Sequence, residues 1–276
     1  MAALGYASTA GQSRAPAAGD PLPRLWWVPT GLLTLLPLHA AGLPGGPSML
    51  DSVVSSYATT LRTLAGYAGR VPSPPTTDRT RLVVAMPTTP ARDGTQPADL
   101  TGTAAEALTI AGRFPHATTL LGPAATVEQV RTDLTGAAWA HFACHGTSEP
   151  GASFRSRMLL FDGDLDVRQI SGLRLRAAEL AYLSACSTAQ GGLAAADEVI
   201  TLASAFQLAG FRHVIGSLWP VDDAISVDTT RLFYDELLDF ETTENAARIL
   251  NHVTKVRRAV CPNDPHLWTQ LIHVGP

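Results

Sequence analysis

Ala138-Trp139-Ala140-His141-Phe142-Ala143-Cys144-His145-Gly146 is an apolar run that closes on a histidine and a glycine. A second run, Leu180-Ala181-Tyr182-Leu183-Ser184-Ala185-Cys186, has the same character and closes on a cysteine. Near-continuous apolar strands are those of a parallel sheet covered on both faces. An open α/β sheet places its ligands and chemistry at the carboxyl edge of such strands. His145 and Cys186 leaving that edge on consecutive strands can share one substrate, as a thiol nucleophile does with its base.

The text on either side alternates in the same way. Arg81 to Met86 and Thr118 to Leu121 read as short strands, and Arg212 to Leu218 as a buried one. Ala98 to Phe114, Thr126 to Leu134, Glu198 to Leu208, Ala224 to Leu238 and Thr243 to Val260 read as helices, with Trp268 to Val274 closing the chain. After His145 the sequence predicts a polar loop, then a hairpin from Met158 to Asp166. Strands alternating with helices give an α/β fold with a mainly parallel central sheet and helices on both faces. Nearer the N-terminus, Leu25 to His39 reads as a two-stranded hairpin, and Met49 to Ala65 as a helix capped by Ser48 with Asp51 in its first turn. Residues 1–20 read as a disordered leader or linker remnant, 21–276 as one domain, and the segment from Val71 to Thr77 as a turn-rich connector.

Composition narrows the class. With 46% hydrophobic and 16% charged residues in 276, the chain folds around a substantial core. A formal net charge of −4 supplies no basic field for nucleic acid. The apolar stretch from Gly31 to Leu38 contains Pro37 and falls well short of the ~20 residues that span a bilayer. Three cysteines, Cys144, Cys186 and Cys261, are too few and too far apart for a disulfide framework, so a reducing, cytoplasmic setting is expected.

Several readings of the histidine and cysteine stay open on residues alone. Cys186 follows His145 by 41 residues, enough for a hairpin excursion and a crossover between adjacent strands. An imidazole beside a thiol removes its proton near neutral pH, and Gly146, lacking Cβ, lets its N–H approach an oxyanion closely. A buried cysteine at a strand end is equally well a small hydrophobe. His141, Cys144 and His145 are zinc-ligand types, but strand alternation sends Cys144 and His145 to opposite faces, so no metal is expected. No G-x-S-x-G elbow surrounds Ser184 or Ser187, and no G-x-x-x-x-G-K-[ST] loop is present.

Longer blocks carry a family resemblance. His141-Phe-Ala-Cys-His-Gly146, Leu183-Ser-Ala-Cys-Ser-Thr188 and the stretch from Asp197 through Gly216-Ser-Leu-Trp-Pro-Val-Asp222 resemble the signature blocks of CHAT domains, relatives of caspases and separases. The opening Val28-Pro-Thr-Gly31, Pro37-Leu-His-Ala-Ala-Gly42 and the closing His273-Val-Gly-Pro276 fit as well. The resemblance implies a caspase–haemoglobinase three-layer sandwich over residues 21–276 and a cysteine endopeptidase. It casts His145 as general base and acid, Cys186 as nucleophile, and Gly146 with the Cys186 amide as oxyanion hole. No third triad member, cofactor or metal is implied. Asp197, Trp219 and Asp222 are the candidates for the substrate groove; Asp197 and Asp222 also suit helix N-termini. The expected partners are a protein or peptide substrate and a regulatory protein or tetratricopeptide-repeat module. The alternative is a non-catalytic scaffold binding a partner in a signalling or defence pathway.

Overall fold

The computed structural model describes residues 21–43, 46–58, 60–67, 80–92, 94–149, 152–184, 195–220, 222–240 and 242–276. Its strands, in chain order, are β1 (Arg24–Trp27), β2 (Val54–Tyr57), β3 (Arg81–Ala85), β4 (Thr118–Leu121), β5 (Trp139–Ala143), β6 (Gly146–Glu149), β7 (Ala152–Leu159), β8 (Asp164–Asp166), β9 (Leu180–Leu183), β10 (His213–Ser217) and β11 (Leu271–Val274). Its helices are α1 (Met49–Ser52), α2 (Leu61–Tyr67), α3 (Gly102–Arg113), α4 (Val127–Leu134), α5 (Val167–Ser171), α6 (Ala195–Ala209), α7 (Asp223–Phe240) and α8 (Ala246–Val260).

Eight strands form one sheet in the order β1-β2-β11-β10-β9-β5-β3-β4, and β6, β7 and β8 form a small antiparallel sheet. The pairing of β10 with β11 is antiparallel, whereas every other pairing in the large sheet is parallel. The sheet is therefore two parallel blocks running in opposite directions. From β3 the chain steps outward to β4, then returns to the other side of β3 as β5. That reversal makes the carboxyl ends of β3 and β5 a topological switch point, the place where open α/β sheets bind their ligands.

Alternation along β5 explains the layers. Ala140, Phe142 and Cys144 join an apolar cluster with Val130 and Leu134 of α4, Ile170 of α5 and Leu202 and Phe206 of α6. Phe142 and Phe206 meet edge to face with centroids 5.3 Å apart. Trp139 and Ala143 face the other way, toward Ile110 of α3, Phe233 and Leu237 of α7 and Val253 of α8. The result is the three-layer sandwich expected from the sequence. In α6 the residues Leu202, Ala205, Phe206 and Ala209 make the buried stripe. Gly210 then ends the helix at φ +135°, where a Cβ would lie 2.1 Å from the Leu175 carbonyl oxygen.

Four local expectations are corrected. Leu25–His39 is not a hairpin: β1 pairs in parallel with β2, and residues 31–35 and 38–40 form 3₁₀ turns. Met49–Ala65 is not one helix. Ser48 and Asp51 do start α1, with the Ser48 N–H donating to the Asp51 carboxylate at 3.0 Å, but the β-branched pair Val53-Val54 leaves the helix for β2. The helix expected from Ala98 starts at Gly102, because residues 98–101 use backbone groups elsewhere; Leu100 N–H, for example, donates to the Pro87 carbonyl at 2.8 Å. The polar stretch after His145 is β6, paired with β7. The hairpin from Met158 to Asp166 is present as β7 and β8. Residues 1–20 and the connector from Val71 lie outside the described residues.

Candidate active site

His145 stands where the chain passes from the large sheet to the small one. β5 ends at Ala143, whose carbonyl accepts the Met86 N–H at 2.8 Å, and β6 begins at Gly146. The His145 ring is 5% exposed, and its Nε2 lies 2.7 Å from the Ala98 carbonyl oxygen. A carbonyl can only accept, so Nε2 carries the proton and donates. In the neutral ring Nδ1 is then the basic nitrogen. The acceptor comes from the segment between β3 and α3 that crosses the switch point.

The same segment is tied to the next loop along the edge. Asp223 accepts the Gly102 N–H at 3.1 Å and the Thr101 hydroxyl at 3.3 Å. A Cβ on Gly102 would meet the Asp223 Cβ at 2.9 Å, so glycine is what lets α3 and α7 approach this closely. The loops after β3 and β10 thus converge beside His145.

Gly146 faces Met158 across β6 and β7, but the ladder bond there runs from the Leu159 N–H to the His145 carbonyl at 2.8 Å. Gly146 and Met158 are therefore a non-hydrogen-bonded pair, and the Gly146 N–H points away from β7.

A buried polar cluster lies under this edge. Glu106, on α3 and 2% exposed, accepts at Oε2 from His141 Nε2 and the Thr230 hydroxyl, each at 3.0 Å. At Oε1 it meets the hydroxyls of Ser226 at 2.7 Å and Ser184 at 3.1 Å, which lie 2.7 Å from each other. Burial alone would raise the carboxyl; the donors, His141 first, hold it below the ordinary glutamate value. Tyr234 OH reaches His141 Nδ1 at 3.3 Å. His141 is thus a partner of Glu106 on one face, while Cys144 packs in the apolar cluster on the other.

The remaining candidates fall as follows. Cys186 lies outside the described residues. Asp197 sits in the first turn of α6, and its side chain is also outside them. Asp222 accepts the N–H groups of Ala224 and Ile225 at 3.0 and 3.4 Å, capping α7. Trp219 is partly exposed and donates from Nε1 to the His266 carbonyl at 3.0 Å. Sequence reasoning missed Ala98 and Glu106. For Glu106 a signal existed: it is the one charged residue on the buried stripe Thr103, Ala107 and Ile110.

An eight-stranded, mainly parallel sheet between two helical layers, with its histidine at the carboxyl edge, defines the class of caspase–haemoglobinase-like folds. The solved structures similar to this chain agree. Separase of Saccharomyces cerevisiae, in its complex with securin, superposes with a TM-score of 0.57 at 14% identity, covering 87% of this chain and 15% of separase. The Arg-specific cysteine proteinase gingipain R gives a TM-score of 0.54 at 12% identity, covering 83% of this chain and 56% of that one. The complex of the Porphyromonas gingivalis RgpB pro- and mature domains gives 0.57 at 12% identity, over 93% and 65%. These likenesses are of fold, and this chain spans less than two thirds of each of those proteins. No curated protein sequence matches it. Residues 7–276 match the CHAT domain, and the chain belongs to the CHAT-domain family. Among the described residues no helix is long and apolar enough to cross a membrane.

Proposed function

We propose that the chain is a cysteine endopeptidase in which Cys186 is the nucleophile and His145 its base and acid. The observation that carries this reading is the setting of His145: buried at the carboxyl edge, with Nε2 committed to the Ala98 carbonyl and Nδ1 left as the basic atom. The register supports a partner at Cys186. Pairs from Trp139 with Leu180 to Phe142 with Leu183 keep an offset of 41 residues, which is also the separation of His145 from Cys186 in the chain.

In this reading His145 takes the thiol proton, and Sγ attacks the scissile carbonyl carbon as its π electrons move to oxygen. The Gly146 and Cys186 amides stabilise that oxyanion. Collapse breaks the C–N bond, the imidazolium protonates the departing amine, and a thioester remains. Water, deprotonated by His145, attacks the thioester; the acid leaves and the thiol is regenerated. Residues 21–276 act as one catalytic unit in a cytoplasmic, reducing setting, without metal or cofactor. Asp197, Trp219 and Asp222 border the substrate groove, Asp222 mainly through its hold on α7. Control by a protein partner fits the company of the fold: separase is seen with securin and RgpB with its pro-domain.

Peptidyl acyloxymethyl ketones that differ at P1 test this by intact mass. Wild type should take up one equivalent, while Cys186→Ala and His145→Ala take up none, and the preferred probe reports the P1 class. Absence of labelling in wild type, with substrate-free partner capture instead, would favour the scaffold.

A further inference from the structure

One carboxylate sits between the two arms of the proposed dyad. His141, bonded to Glu106, lies on β5 four residues before His145; Ser184, also bonded to it, follows β9 two residues before Cys186. Glu106 itself belongs to α3, which follows the segment whose Ala98 carbonyl holds His145. Ser226 and Thr230 fasten the same carboxylate to α7. Every lone-pair direction of an ionised carboxylate is thereby used. The two serines, Ser184 after β9 and Ser226 on α7, both donate to Oε1, and their oxygens lie 2.7 Å from each other. The end of β9 is thus held to α3 and α7 through this serine pair, not by packing alone.

We propose that Glu106 is a positioning residue of the peptidase site: it fixes the strand ends bearing His145 and Cys186 relative to each other through His141, Ser184 and α3. This rests on the reading of Cys186 and His145 as a dyad. Among the described residues Glu106 is bonded to His141, Ser184, Ser226 and Thr230 and not to His145, and it is 2% exposed, so it acts through its neighbours. Its consequence lies in the rate of the bond-forming step, since a nucleophile and base displaced by about 1 Å lose on the order of 10²-fold.

Glu106→Gln keeps the shape but replaces one acceptor by an NH₂ group facing donors. Ser184→Ala cuts only the tie to β9 and leaves Glu106 its other donors, so it serves if Glu106→Gln does not fold. The experiment titrates both variants and wild type with the preferred acyloxymethyl ketone, separating the maximal inactivation rate from the concentration for half-maximal rate. It also records the ring ¹⁵N shifts of His145 in each folded protein. The expected result is a maximal rate at least 10-fold lower with half-saturation within twofold, and in Glu106→Gln a His145 ring that no longer reports a single Nε2–H tautomer. A structural role alone would lower the melting temperature and leave the rate of the folded fraction as in wild type; that result overturns the proposal. Should wild type itself take no label, the dyad reading fails separately, and unchanged His145 shifts in Glu106→Gln then overturn the positioning role on their own.

Discussion

The two faces of the large sheet solve the burial problem by different means. The face under α4, α5 and α6 is hydrocarbon: Leu82, Val84, Phe142, Leu183 and Val214 meet Leu134, Leu202 and Phe206. The face under α3, α7 and α8 carries the histidines of the sheet. His141 alternates with Phe142 on β5, His213 with Val214 on β10, and His273 with Val274 on β11. These histidines are held in hydrogen-bonded chains. Arg24 donates to the Ser56 hydroxyl at 2.6 Å, Ser56 donates to His273 Nδ1 at 2.8 Å, and His273 Nε2 to His213 Nδ1 at 3.0 Å. An apolar face needs shape and volume, and tolerates exchange of one hydrocarbon for another. A polar face needs each donor matched to an acceptor, because an orphaned buried group costs about 1–3 kcal/mol. The face that positions His145 is the demanding one.

Acid should separate the two faces most strongly. Burial pushes the His213 and His273 imidazoles below their ordinary value, so the fold favours the neutral rings. Unfolded, they take up protons near pH 6.5. Their contribution to stability is full above that pH and is lost as pH falls below it. Urea midpoints measured from pH 7.5 to 5 should fall steadily; a flat profile would break the contrast. Phe206→Ala comes next: about 3–5 kcal/mol from the lost ring and its cavity, with the same loss at pH 7.5 and 6 because the rings it meets, Phe142 and Phe211, do not titrate. Phe206→Leu should recover most of it. Thr230→Val on the polar face, nearly equal in volume, should still cost about 1–3 kcal/mol by leaving Glu106 short of a donor; a neutral result would mean both faces obey volume alone. Asp222→Ala, at the rim and belonging to neither face, sets the baseline: about 1 kcal/mol from the lost α7 cap, read as a small drop in melting temperature.

How far the chain could be read before folding follows the same divide. β3, β5, β9 and β10 were legible because runs such as Leu82-Val83-Val84-Ala85 suit a strand buried on both sides, whereas β4 is a mostly exposed edge strand. Neighbourhood of β5 and β9 followed from their order and is present in the register. The N-terminal third misled because its strands are local in neither sense. β1 finds its partner in β2 across about 30 residues, and Trp27 Nε1 bonds Ser55 Oγ at 3.0 Å, a pairing no hairpin rule anticipates. The Ser48 cap was correct, yet a cap marks where a helix starts and says nothing of where tertiary pairing stops it. In the site, the histidine was legible by its place after an apolar run. Glu106 was not weighed, although a lone carboxylate on an apolar helix stripe demands buried donors from other elements. Those donors, Ser184, Ser226 and Thr230, are read individually as unremarkable hydroxyl residues in strand and helix text.

The bond from His145 to Ala98 has a practical consequence for anyone mapping this domain by mutation. Ala98 contributes only its main-chain oxygen, and a scan that replaces side chains with alanine steps over it without a trace. The position is already what the scan would install. Its importance surfaces only when the path of the main chain shifts, as when Pro97 loses its ring or Gly102 gains a methyl group against Asp223. Such variants would look like distant structural lesions, yet each would act by moving one oxygen atom away from one imidazole.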